Sequence, residues 1–399
     1  MTLPLDFNSM SSPFNTINTI NTIAVVTFHQ RVSASLAFAI MRCSSLFTTA
    51  VLASPAIAAI LIPSTGSRSP SIPANAANYD SGNDHEGGDG NDDDDDTPLP
   101  IVLWHGLGDS FDSEGVRAVG ELAEAIHPGT FFYPIALGAD GNADRQASFF
   151  GNVTEQVSAV CAALAAHPIL STAPAIDAIG FSQGGQFLRG YVERCNRPPV
   201  RSLVTFGSQH TGIREFRACG VMDVMCRAAM ALLRYNTWAA AVQGRLVPAQ
   251  YFRDAGRDYD AYLQHSNFLA DINNERPAKH AAYAGNIRAL ANFVMFMFEE
   301  DGTVIPRESS LFAEAGEDGE VVPLRETRLY TEDWLGLRAL DERGGLRFRM
   351  IEGEHMRIGN KVMEQTLRDF FGPLKRTFEP ESKAAAEGSK ESKESWGDL

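Results

Sequence analysis

One short stretch has the composition of a nucleophile turn: Gly180-Phe181-Ser182-Gln183-Gly184, with a further Gly185. Residues 175–179 before it are an apolar run that reads as a strand, and residues 183–195 after it read as a helix. A sharp strand-to-helix turn strains the backbone at the serine and projects its Oγ beyond the sheet, while small flanking residues let neighbouring backbone approach. The Gln183 amide then lies at a helix N-terminus, where it can donate to an oxyanion. G-x-S-x-G alone is a modest signal, because any glycine-rich turn can contain it. The strand–turn–helix context is what favours chemistry over a simple turn.

A serine nucleophile needs a base and a carboxylate to orient that base, and in this architecture the chain order is Ser, acid, His. The downstream histidines are His210, His265, His280 and His355. His355 lies in Glu352-Gly353-Glu354-His355, a polar loop after an apolar run at 347–351, and is the predicted base. His210 closely follows another strand and is the rival; His265 and His280 fall in helical sequence and read as surface or packing residues. Asp301 closes the apolar run 292–298 and opens a loop, where a carboxylate can hold an imidazole Nδ1–H. Glu299 and Glu300 compete for that role, though strand alternation and the Asp-Gly turn favour Asp301. Upstream, His105-Gly106-Leu107-Gly108-Asp109 follows the first strand, and its glycine-rich turn can present a second oxyanion amide, that of Leu107. His105 precedes Ser182 and is read as a support for this loop. The loop has neither G-x-G-x-x-G nor a phosphate-binding Lys-Ser/Thr, so it is no phosphate cradle.

Apolar runs and helical patterns alternate around these residues. Strands are predicted at 98–104, 130–135, 175–179, 200–206, 292–298 and 347–351, and helices at 116–125, 149–166 and 183–195. Strands separated by helices imply parallel pairing, so the expected fold is α/β, with a mostly parallel central sheet flanked by helices. Residues 209–289 break the rhythm and read as a mainly helical insertion over one end of the sheet. Within it, 221–238 combines Met222, Met225, Met230, Leu232, Leu233 and Trp238, an apolar surface that suits either an acyl groove or a core helix.

The 399 residues carry 44% hydrophobic and 21% charged residues, an ordinary globular composition. The net charge of −16 is concentrated outside the core: residues 77–97 hold nine acids and no base, and residues 379–399 six acids and three bases. The mildly acidic remainder argues against a nucleic-acid binder, which needs clustered Lys and Arg. An apolar stretch from about residue 43 ends in Ala56-Ile57-Ala58, the pattern of a cleaved signal peptide, and is short and rich in Ser and Thr for a membrane span. Residues 1–58 are therefore expected to be leader and signal peptide, with 1–40 either a misplaced start or a true leader; a signal anchor is the other reading. Residues 59–97 read as a disordered acidic linker, 98–378 as the folded domain and 379–399 as a charged tail. Five cysteines are present: Cys43, Cys161, Cys195, Cys219 and Cys226. Loss of Cys43 with the leader leaves an even number for an oxidising compartment. Asn152-Val153-Thr154 is the sole N-glycosylation sequon.

Several blocks, in this order, resemble the lysosomal palmitoyl-protein thioesterases: Trp104-His-Gly-Leu-Gly-Asp-Ser110, Gly180-Phe-Ser-Gln-Gly-Gly-Gln-Phe-Leu-Arg189, Phe206-Gly-Ser-Gln-His-Thr-Gly212, Phe268-Leu-Ala-Asp-Ile-Asn-Asn-Glu-Arg276, Leu329-Tyr-Thr-Glu-Asp-Trp-Leu-Gly-Leu337 and Glu352-Gly-Glu-His355. The resemblance extends from about Pro98 to Pro373 and implies an α/β-hydrolase. It implies Ser182 as nucleophile, Asp301 as acid, His355 as base, and Leu107 and Gln183 as oxyanion donors. It also implies disulfides Cys161–Cys195 and Cys219–Cys226. Phe111-Asp112 stands where the family has adjacent cysteines, and the family's usual sequons are absent. The implied activity is hydrolysis of long-chain fatty acyl thioesters on cysteine of S-palmitoylated proteins or peptides, with no metal or cofactor, in a glycosylated lysosomal, vacuolar or secreted protein without a stable membrane span. A lipid or ester hydrolase on the same fold, and a non-catalytic binding protein, are the alternatives.

Overall fold

The computed structural model describes residues 97–215, 227, 236–253, 258–316 and 320–380. The expectations for the leader and signal peptide (1–58), the linker up to residue 96, Cys219, Cys226, the apolar surface 221–238 apart from Arg227 and 236–238, and the tail beyond residue 380 lie outside these residues.

Runs rich in apolar, β-branched and aromatic residues form the sheet. Strands β1 (Ile101–Trp104), β2 (Phe132–Pro134), β3 (Ile176–Phe181), β4 (Val200–Phe206), β5 (Asn292–Phe298) and, further on, β8 (Leu346–Ile351) pair in the order β2-β1-β3-β4-β5-β8. Every pairing is parallel. The helices before β5 are α1 (Glu114–Ile126), α2 (Gly141–Phe149), α3 (Val153–Ala166), α4 (Gln183–Arg194), α5 (Ala240–Gln243), α6 (Tyr259–His265), α7 (Leu269–Ile272) and α8 (Ala281–Ala289). After β5 come the hairpin β6 (Glu314–Ala315) and β7 (Val321–Val322), then α9 (Arg328–Thr331), α10 (Leu337–Glu342) and, beyond β8, α11 (Asn360–Phe370).

Strand alternation feeds two cores. Ile101, Leu103, Ile179, Val204 and Phe298 face one way and pack with α1 and α11. Val102, Trp104, Ala178, Leu203 and Phe293 face the other and pack with α3, α4 and α8. A parallel sheet buried on both faces by crossover helices is what near-continuous apolar strands produce.

One departure from the periodicity has a local cause. The run 149–166 is not one helix: α2 ends at Phe149, and α3 starts at Val153, with Asn152 as its N-cap accepting from the Glu155 amide. Gly151, at φ +148°, makes the break, and Phe150 bridges to Leu246. Within 209–289, read as a mainly helical insertion, the described residues form short helices. The last of them, α8, is the crossover between β4 and β5 and belongs to the buried layer against α4 through Tyr283 and Ile287.

Candidate active site

The strand order reverses between β1 and β3, so the loops leaving the C-terminal ends of these two neighbours diverge and open a crevice, the place where open α/β sheets bind ligands. The loop 105–109 and the Ser182 turn both lie there. Ser182 has φ 51° and ψ −123°, a conformation disfavoured for any residue with a Cβ. Its amide continues the β4 ladder to Phe206 O at 2.8 Å. Both motif glycines are sterically required. A Cβ on Gly180 falls 2.1 Å from Gly185 Cα, and one on Gly184 falls 2.2 Å from Trp104 O; neither obstacle is a movable side chain.

β8 ends at Ile351 and hands the chain to Gly353, at φ +99°, which turns it back so that His355 faces Ser182. His355 Nε2 stands 3.0 Å from Ser182 Oγ, and His355 Nδ1 stands 2.7 Å from Asp301 Oδ2. Asp301 Oδ1 accepts from the amides of Thr303 at 2.8 Å and Val304 at 2.9 Å, which fixes the carboxylate plane. Phe298 packs edge-on against the imidazole. Gly207, at φ +57°, leaves room for the ring, since a Cβ there would come within 2.9 Å of His355 Cε1. With Nδ1 donating to Asp301, Nε2 is the nitrogen free to accept the serine proton, so this chain of bonds is arranged for base-assisted nucleophilic attack.

The competing residues are elsewhere. Glu299 and Glu300 are exposed. His210 is wholly buried, stacked on Phe312 at 4.6 Å, with Nε2 3.0 Å from Thr205 Oγ1. Burial, together with the Arg189 charge, pushes its pKa well below the ordinary value. His265 and His280 are exposed. The loop 105–109 does approach Ser182: a Cβ on Gly106 would sit 3.3 Å from Ser182 Cβ. Neither the Leu107 nor the Gln183 amide has an acceptor among the described residues.

Two polar residues that the sequence reading did not single out brace this loop. Asp144, fully buried on α2, lies 2.7 Å from His105 Nε2 and accepts from the Phe111 and Leu137 amides, each at 2.7 Å. Ser148, one turn further on, takes the Gly108 amide on its Oγ at 2.8 Å and the Gln183 side-chain amide on its carbonyl at 3.1 Å. In sequence, Gly141-Asn-Ala-Asp-Arg reads as a solvated helix start, so no local signal marks Asp144 as buried. Asn152 accepts from the Asn267 side chain at 2.7 Å as well as capping α3. Cys161 and Cys195 form a disulfide that joins α3 to the end of α4.

A parallel sheet with helices on both faces, a strained serine at the β3–α4 turn and a Ser–His–Asp chain drawn from the ends of β3, β8 and β5 define an α/β-hydrolase. A profile of the palmitoyl protein thioesterase family matches residues 100–355, and the chain belongs to that family. It is 35% identical to Palmitoyl-protein thioesterase 1 of Caenorhabditis elegans over 66% of this chain and 89% of the relative. It is 33% identical to Palmitoyl-protein thioesterase 3 of Dictyostelium discoideum over 62% of this chain and 82% of the relative. It is 28% identical to Lysosomal thioesterase PPT2 of Homo sapiens over 62% of this chain and 78% of the relative. Among the described residues no helix is long and apolar enough to cross a membrane.

Proposed function

We propose that the enzyme hydrolyses palmitoyl and similar long-chain acyl thioesters on cysteine, with Ser182 as nucleophile, His355 as base and Asp301 as its orienting acid. The observation that carries the assignment is the bonded chain from Ser182 Oγ through His355 to Asp301, in a member of a thioesterase family. Ser182 Oγ attacks the thioester carbonyl as its proton passes to His355 Nε2. The resulting oxyanion is held by the amides of Leu107 and Gln183. The C–S bond breaks, the leaving sulfur takes the proton from His355, and an acyl-serine ester remains. Water then attacks this ester, giving its proton to His355; the C–Oγ bond breaks and Ser182 is reprotonated. A thiolate leaves more readily than an amine, so the second proton transfer contributes less than in amide hydrolysis.

In our reading the enzyme works in an oxidising, lysosome-like compartment, reached by a leader removed near residue 58, with the charged segments flanking a single hydrolase domain. The Cys161–Cys195 disulfide supports this, as does the name of the human relative. A glycan on Asn152 Nδ2 leaves Oδ1 free to cap α3; a glycosidase mobility shift tests for it.

Ser182→Ala and His355→Ala are each expected to lower the turnover of a palmitoyl thioester by about 10⁴–10⁶ and to abolish labelling by a fluorophosphonate, with folding preserved. Turnover of folded Ser182→Ala at the unsubstituted rate refutes the assignment. Faster turnover of palmitoyl oxygen esters than of thioesters refutes the substrate class.

A further inference from the structure

We propose that the buried His105–Asp144 pair is a positioning device for oxyanion stabilisation: a doubly protonated His105 holds the Gly106–Leu107 peptide so that the Leu107 N–H points at the carbonyl under attack. This rests on the assignment of the Leu107 and Gln183 amides as oxyanion donors.

His105 is 1% exposed and Asp144 is wholly buried. His105 Nδ1 stands 3.0 Å from Gly106 O, and Nε2 stands 2.7 Å from Asp144 Oδ2. A carbonyl oxygen only accepts. The Asp144 carboxylate also only accepts, because the amides of Phe111, Leu137 and Gly138 already converge on it. Both ring nitrogens must therefore carry hydrogen, and His105 is an imidazolium. Burial works against that charge, but the hydrogen bond and charge of Asp144, with the Gly106 carbonyl and the Asp109 charge, outweigh it and raise the pKa of His105. Burial likewise works against charge on Asp144, but His105 and the backbone amides hold its carboxyl below the ordinary value.

The bond to Gly106 O has a geometric consequence. In a trans peptide the C=O and the following N–H point in opposite directions within one plane. Fixing Gly106 O on one side therefore fixes the direction of the Leu107 N–H on the other. A cation behind the carbonyl also polarises the peptide and makes that N–H a stronger donor. Helix α2 completes the brace, since Ser148 takes both the Gly108 amide and the Gln183 side chain. For stability alone, a well-packed apolar pair serves as well as a buried ion pair; what this pair supplies is direction.

The test compares two substitutions of His105 in the full-length enzyme. Asn places its amide nitrogen near the former Nδ1 and keeps the bond to Gly106 O while losing Asp144. Gln keeps Asp144 and loses Gly106. Removal of a whole oxyanion donor costs about 10²–10³ in kcat, so loss of its support is expected to cost roughly 10–10² in H105Q with KM nearly unchanged, and less in H105N. A merely structural anchor gives the opposite order, with kcat tracking Tm, and overturns the proposal. Replacing the Leu107 backbone amide by an ester deletes the N–H and leaves the Gly106 carbonyl in place as a weaker acceptor. If His105 acts through it, H105Q lowers kcat no further in the ester enzyme. An ester enzyme with unchanged kcat removes the oxyanion assignment itself; additive losses remove only the role of His105. Should the His105 variants fail to fold, Asp144→Asn serves instead: it removes the counter-charge of the imidazolium, and the alkaline limb of its kcat–pH profile is expected to fall at lower pH than in the unsubstituted enzyme. An unmoved limb overturns the proposal.

Discussion

Replacing Asp301 by Asn separates orientation from packing at one atom. Asp301 Oδ1 holds the amides of Thr303 and Val304, and Oδ2 holds His355 Nδ1. In Asp301→Asn the carboxamide oxygen has one best position, on the two backbone amides, because turning it away leaves two N–H groups without an acceptor at about 1–3 kcal/mol each. The NH2 group must then face His355 Nδ1. Two donors cannot share that contact, so Nδ1 gives up its hydrogen and Nε2 acquires it. The imidazole then presents N–H, not a lone pair, to Ser182 Oγ at 3.0 Å, and cannot take the serine proton.

A triad held in the wrong tautomer loses about 10⁴ in kcat, which corresponds to about 5 kcal/mol of transition-state stabilisation. The fold is expected to change little, since the loop keeps both of its backbone bonds. Asp301→Ala makes the contrast, because it loses the same orientation and both amide acceptors and is expected to be less stable as well. The assay is kcat on a palmitoyl thioester, with the melting temperature measured on the same preparations. An Asp301→Asn enzyme keeping more than a tenth of the original kcat refutes the reasoning.

His210→Ala is expected to keep its kcat per folded molecule while losing roughly 1–3 kcal/mol of stability, because it removes a buried stacked ring and a partner of Thr205; urea melts with active-site titration separate the two effects. Joint replacement of Cys161 and Cys195 by Ser opens a link between residues 34 apart, which loop-closure entropy values at about 3–4 kcal/mol, and the urea midpoint should fall with little change in kcat. The His105–Asp144 pair sets a pH window. The raised His105 pKa gives stability that is full below 6.5, the ordinary imidazole value, and is lost as pH rises through the folded value. The lowered Asp144 pKa gives stability present above 3.8, the ordinary carboxyl value, and lost as pH falls through the folded one. The stability difference between the unsubstituted enzyme and His105→Gln is therefore expected to be largest between pH 4 and 6.5 and to shrink at higher pH; a difference that grows with pH contradicts the ion pair.

What was legible in the sequence divides according to how local its cause is. The Ser182 turn is a matter of adjacent atoms: Gly180 and Gly184 are there because a Cβ at either collides with backbone, so the pentapeptide announces the turn. The sheet is legible for a similar reason, since strands buried on both faces need continuous apolar runs, and 200–206 and 292–298 supply them. The partners of the serine are non-local. Its place in a polar loop after the last strand favours His355 over His210, but does not show how the chain reaches Ser182; β8 pairing beside β5 is what brings Ile351 and the following loop level with Phe298 and Asp301. The resemblance to a family points to the same histidine. Asp144 is the extreme case. An Asp in the first turn of a helix stabilises the N-terminus in water, so its local meaning is complete without any partner. Its burial comes from loop 105–109 folding over α2, a contact between segments 39 residues apart. Conversely, the apolar spacing of 149–166 runs straight across a clear local stop, Gly151-Asn152, because hydrophobic period carries no capping information. At that stop Asn152 accepts the Glu155 amide while Gly151 takes a backbone angle that costs other residues strain. The break positions α2 separately from α3, and α2 is the helix whose Asp144 and Ser148 reach the loop beside Ser182.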